Sequence, residues 1–175
     1  MKRFLFVVLS LLLSSPASAL ADEDKGFTIG AKPVWFLLSG LTTGGTVGLD
    51  DKGAFVGGEM SLVRLKNAYY LGLYADGFYD FGPNGWYVTG GPEIGFVRRS
   101  QLMQLGYGLD GGVAVRFADG ESQLGWNVRA SFAVNGLITL YARYLHFGTD
   151  DNEQMIQVGL TFKYPLMKPF GAGAN

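Results

Sequence analysis

The chain has no cysteine and a single histidine, His146. Disulfides and thiol chemistry are excluded, and so is a metal site built from several histidines. No stretch after the first twenty residues reaches the ~18 apolar residues of a membrane-crossing helix. Excess base is missing too. The formal net charge is −1, which leaves no basic patch to recruit nucleic acid. Asp150-Asp151-Asn152-Glu153 is acidic but lacks the spacing of a calcium loop. No cofactor and no metal is expected. Glycine, at 27 residues, and aromatics, at 14%, are abundant instead.

Met1-Lys2-Arg3 opens the chain, followed by an apolar run from Phe4 to Leu13 and the small-residue site Ala17-Ser18-Ala19. This reads as a secretory signal peptide over residues 1–21, cleaved after Ala19 or Ala21; its core is too short to be an anchor. Losing Lys2 and Arg3 takes the net charge from −1 to −3. What remains is long enough for one domain.

The stretch from Ala68 to Val97 carries the clearest pattern. It reads as two strands joined at Phe81-Gly82-Pro83-Asn84-Gly85, each alternating by twos. Tyr69, Leu71, Leu73, Ala75, Gly77 and Tyr79 share one face of the first strand. Trp86, Val88, Gly90, Pro92, Ile94 and Phe96 share one face of the second. Each apolar face begins and ends on an aromatic. At ~3.3 Å rise and ~40° tilt, the ten residues between them span roughly 25 Å of height, the apolar band of a transmembrane barrel.

The rest divides the same way. Strands are expected at Phe27–Leu38, Ala54–Leu65, Met103–Phe117, Leu124–Val134, Leu137–Phe147 and Gln154–Tyr164, with Ser39–Gly53 as the longest loop. Asn135-Gly136 is a strong hairpin signal. The expected fold is all-β: an eight-stranded antiparallel up-and-down transmembrane β-barrel over 22–166, then a frayed tail over 167–175. Pro33 and Pro92 resist it, because each removes a ladder donor; Gly90-Gly91 suggests a bulge beside Pro92. A soluble barrel with the faces exchanged is the rival, but aromatic belts have no purpose there.

Nine charges fall within the expected strands: Lys32, Glu59, Asp76, Glu93, Asp110, Arg116, Arg129, Arg143 and Lys163. By parity all lie opposite the apolar face, so a closed barrel gathers them into a paired network in a filled lumen. Asp50, Asp51, Asp80, Asp119, Glu121, Asp150, Asp151 and Glu153 fall at the outer loops against Lys52 alone, while Arg64, Lys66, Arg98 and Arg99 fall at the inward turns. The expected partners are outer-membrane lipids and lipopolysaccharide, with divalent cations held loosely at the acidic loops. The protein is expected to be a monomer.

Two motifs need weighing. Gly106, Gly108 and Gly111 match GxGxxG, but inside a strand, without the helix that would hold a pyrophosphate. The lumen carboxylates could be imagined as a glycosidase pair, yet a filled lumen admits no substrate.

The stretch Arg143-Tyr-Leu-His146-Phe-Gly148-Thr149-Asp-Asp-Asn-Glu153, with Gly159 to Leu166 after it, resembles the end of the lipid A 3-O-deacylase family. That resemblance implies an eight-stranded outer-membrane barrel with a serine hydrolase site at its outer rim. The family pattern is His-x-Ser with a downstream Glu. Here His146 stands without the serine, Gly148 taking its place; Thr149 is next to it, and Glu153 lies closer than the family's acid. Without a nucleophile the base has nothing to activate. The expected role is therefore structural or surface-interacting, through the acidic outer loops and without enzymatic activity. A lipid A-modifying hydrolase and a narrow channel are the alternatives.

Overall fold

Alternation by twos lets one strand present apolar residues outward and polar residues inward. The computed structural model describes residues 32–48, 52–99, 104–118, 120–148 and 154–171. Eight strands run in order: β1 Val34–Gly48, β2 Lys52–Lys66, β3 Tyr69–Asp80, β4 Gly85–Arg99, β5 Gln104–Ala118, β6 Glu121–Val134, β7 Ile138–Phe147 and β8 Gln154–Pro165. Each pairs antiparallel with the next, and β1 pairs with β8 from Leu38↔Pro165 to Gly48↔Met155, closing the barrel. Among the described residues no helix is long and apolar enough to cross a membrane. Any crossing is made by strands.

The exterior is apolar. Leu41, Leu71, Leu73, Leu109, Leu124 and Val158 are all exposed, Leu73 at 60% and Leu124 at 72%. Aromatics mark both ends of this surface. Tyr79 packs on Trp86 at 5.3 Å and Trp126 on Tyr144 at 5.3 Å at one end. Phe96 packs on Tyr107 at 4.9 Å and Tyr107 on Phe132 at 5.1 Å at the other. A surface this apolar and this girdled is solvated by hydrocarbon. The face-exchanged soluble barrel would have buried it.

The first strand departs from expectation. It starts at Val34 and continues through Gly48, so most of the expected Ser39–Gly53 loop is strand. Gly and Thr read as loop residues because both favour turns, yet here the glycine serves packing. The side of Gly44 that faces inward lies against Gly159 and the Phe55 ring, leaving no room for a Cβ. Residues 27–31 lie outside the described set.

The two prolines resolve separately. Pro33 precedes β1 and withholds nothing from a ladder. Lys32 beside it is exposed and lies ahead of the strand, so it is not part of the lumen as parity had placed it. Pro92 sits inside β4, but the pairing of Gly90↔Val113 and Glu93↔Asp110 leaves equal numbers of residues on both strands. No residue is inserted, so the expected bulge is absent. A Cβ on Gly91 or on Gly112 would meet the backbone of the other, so these glycines bring β4 and β5 close where proline offers no donor.

The tail is not frayed throughout. Trp35 donates its amide to the Phe170 carbonyl at 2.8 Å, Phe170 returns the bond at 3.1 Å, and their rings stack at 6.5 Å. At the β6–β7 turn, Asn135 and Gly136 both adopt positive φ, and Leu137 donates to Val134 at 3.2 Å.

Leu73 lies midway between Tyr69 and Tyr79 on the outward face, so Leu73→Arg should destabilise by about 2–4 kcal/mol. Leu73→Phe, larger but apolar, should move the urea midpoint in lipid vesicles far less. Equal effects would mean that this face does not meet hydrocarbon.

Candidate functional site

In a narrow closed barrel the inward side chains have no solvent to fall back on, so they must fill the space and pair with one another. They do so in two layers. Towards the end that carries the Phe81–Asn84 turn, Phe55, Phe78, Tyr87, Tyr141, Leu145, Phe147 and Met155 form a buried apolar cluster. Phe78 and Tyr87 stack at 5.1 Å and 4°. These residues share parity with the lumen charges. Attention to charge alone missed them, although their position on the inward face was readable.

Beneath this plug lies the charged layer. Arg129 donates from Nε to Asp110 at 2.7 Å and from Nη1 to Glu59 at 2.5 Å. Arg143 donates to Asp76, whose same oxygen lies 3.8 Å from Arg129. Arg129 and Arg143 are direct cross-strand partners, and like charges so placed repel. The Asp76 carboxylate between them offsets that repulsion. Lys163 pairs with Glu59 and donates to Ser61 at 3.3 Å. Both guanidiniums also lie over rings: Arg129 is 4.7 Å from Tyr74, and Arg143 is 5.2 Å from Phe78. Neutral groups complete the layer. Tyr74 donates to Asn127 at 2.6 Å, Thr42 bonds Tyr141 at 2.7 Å, and Thr89 donates to Asp76.

Of the nine residues singled out by parity, Glu59, Asp76, Asp110, Arg129, Arg143 and Lys163 form this connected cluster. Glu93 is buried in the lumen opposite Asp110 but has no ion pair among the described residues, and its Oε1 has no hydrogen-bond partner. Arg116 is half-buried towards the Phe81–Asn84 end, cross-strand to Tyr87, and donates to Gln123 at 3.4 Å. Lys32 is outside, as described above.

Asp80, read as an outer-loop charge, is a lumen residue. It ends β3 fully buried, accepting from Thr46, from Gln157 at 3.3 Å and from the Gly82 amide at 3.0 Å. Asp80 is the last residue of β3 and shares the inward parity of Asp76 and Phe78, so the strand end holds it inside the barrel rather than in the loop. Glu121 and Lys52 are exposed at that end. Asp50, Asp51, Asp119, Asp150, Asp151 and Glu153 lie outside the described residues, and with them most of the expected acidic outer rim.

His146 faces outward near the same end, cross-strand to Trp126 and Gln154, with its ring 5.6 Å from Trp126. Its Nδ1 has no hydrogen-bond partner among the described residues. Gly148, in the position of the family's serine, is an exposed bend residue with φ of 68°. Thr149 lies outside the described residues. Among the described residues no group of His, Cys, Asp and Glu is arranged to hold a metal ion.

No family model matches the chain, and no curated protein does. Solved structures resemble it, among them the following two. Neisserial surface protein A (NspA) is 14% identical, with 74% of this chain and 97% of that one covered and a TM-score of 0.47. Ail, the attachment invasion locus protein of Yersinia pestis, in complex with the heparin analogue sucrose octasulfate, is 15% identical, with 76% and 99% covered and a TM-score of 0.37.

Removing one partner of a buried ion pair leaves the others uncompensated, so Arg129→Ala should cost about 3–5 kcal/mol by urea unfolding. Arg129→Met combined with Asp110→Asn should recover much of that loss, since Glu59 keeps Lys163 and Asp76 keeps Arg143. Arg116→Ala should cost less than ~1 kcal/mol, because its one described partner is neutral and solvent reaches it. If Arg129→Ala and Arg116→Ala cost the same, the charged layer does not stabilise the barrel.

Proposed function

We propose that this protein is a small integral outer-membrane β-barrel whose body is an occluded scaffold and whose role is structural or surface-interacting, through its acidic outer loops. One observation carries this reading. The lumen is filled over its height by the Arg129–Arg143 ion network and, above it, the Phe55–Phe78–Tyr87 plug. A barrel solvated by lipid outside and packed solid inside has its loops and rims left to meet other molecules. Export by the signal peptide and lipopolysaccharide as a neighbour belong to the same reading. So do a monomeric state and divalent cations bridging the loops to lipopolysaccharide phosphates.

The channel alternative calls for a wetted path, and the aromatic layer opposes one. In planar bilayers the protein should give no stepwise conductance. Discrete steps at moderate voltage, enlarged by Phe78→Ala, would replace the scaffold reading with a channel.

The hydrolase alternative calls for a nucleophile beside His146. The aromatic packing of His146 on Trp126 supports instead a place in the girdle, where amphipathic rings sit among headgroups. Mass spectrometry of lipid A from cells with and without the protein should show the same acylation pattern. Loss of one acyl chain, restored by His146→Ala, would reverse this conclusion.

A further inference from the structure

The charges outside the lumen are sorted by end. Among the described residues every carboxylate except Glu121 is buried in the lumen: Glu59, Asp76, Asp80, Glu93 and Asp110. Glu121 begins β6, at the barrel end that also carries the Phe81–Asn84 turn. The opposite end, where β1 begins and β8 stops, has exposed Lys32, Arg64, Lys66, Arg98 and Lys168 and no described acid on its surface. Among the described residues this rim is cationic and has no ion pair.

Parity sharpens the point. Arg64 and Lys66 continue the outward series of β2 after Met60 and Leu62, and Arg98 continues that of β4 after Ile94 and Phe96. These three bases belong to the membrane-facing exterior, not to the mouth of the lumen. Each stands beside the aromatic belt. Lys66 pairs across the ladder with Tyr69, Tyr69 pairs with Phe96, and Arg64 pairs with Trp35. The Arg64 guanidinium lies 5.9 Å from the Trp35 ring centre, which stacks on Phe170. Cations one step beyond an interfacial aromatic belt are level with lipid headgroups, whose phosphates are the anions within reach.

Taking the membrane reading above as its premise, we infer that this rim binds the headgroups of anionic phospholipids in the leaflet it spans. Arg64, Lys66 and Arg98 contact the phosphates, and Trp35 and Phe96 pack beneath them. Zwitterionic lipids offer the same phosphate with an ammonium beside it, so net negative charge is what the rim selects. The other end, with Glu121 exposed and Lys52 as its described base, has no such preference.

Trp35 reports on the site directly. In a Trp86→Phe, Trp126→Phe background it is the sole tryptophan. Its fluorescence in vesicles mixing brominated phosphatidylglycerol with phosphatidylcholine, and the reverse, gives the relative binding constant of the two lipids. The anionic lipid should be preferred at least about fivefold, the effect of one surface base or more. The preference should fall towards unity in the Arg64→Gln, Lys66→Gln, Arg98→Gln variant, and in molar salt. A sole Trp86, at the opposite belt, should show none. Equal quenching at Trp35, or a preference that survives the triple substitution, overturns the inference and leaves the rim to a soluble anionic partner. Tryptophan unquenched by either lipid overturns the membrane reading itself, a distinguishable failure.

Discussion

Hydrocarbon offers no partner for a peptide N–H or C=O, so a sheet solvated by lipid must leave no edge. Closure of β1 on β8 meets that condition. With eight strands, closure leaves an interior only as wide as the side chains that fill it. Everything inward is then decided by crowding. Gly44 yields space to the Phe55 ring, and Gly91 and Gly112 let two strands approach. Arg129 and Arg143 survive burial only because Asp76, Glu59 and Asp110 reach them. The lumen is a packed interior in which ion pairs and aromatic rings share the space.

Pairing polar groups inside a barrel is also a matter of specificity. A shift of β6 by two residues would keep parity but move Arg129 away from Asp110. Parity cannot fix such a slip; a carboxylate that loses its guanidinium can. The ion network thus distinguishes the native register from others equally apolar on the outside.

Much of this was legible in the sequence, for a physical reason. A strand's side chains alternate with period two, so Tyr69 to Tyr79 and Trp86 to Phe96 display their outward faces directly. The same parity sets Glu59, Asp76, Glu93 and Asp110 on the opposite face. What it does not contain is the stagger between strands. Which carboxylate Arg129 reaches, and that Glu93 is left without a described cation, depend on tilt and closure. The first strand was misplaced because Gly and Thr signal turns locally, while in a crowded lumen they signal close packing. Asp80 was counted with the loop because it borders the turn, although its parity with Asp76 and Phe78 already pointed it inward. Lys32 was misplaced because its strand starts later.

The clasp between Trp35 and Phe170 bears on how such a molecule is put together. β1 begins at Val34, but its pairing with β8 starts only at Leu38, so the backbone of Trp35 would face the gap unpaired. Leu166 donates to Leu37, and Phe170 then exchanges both bonds with Trp35, carrying the seam to its foot. Each hairpin can zip from its own turn, but this contact joins segments separated by nearly the whole described chain, and no local turn brings them together. The seam consequently carries the largest loop-closure cost of any pairing in the barrel. Without β8 and its tail, β1 would keep an open edge along its whole length, so the ring's last contact is the one that removes the edge.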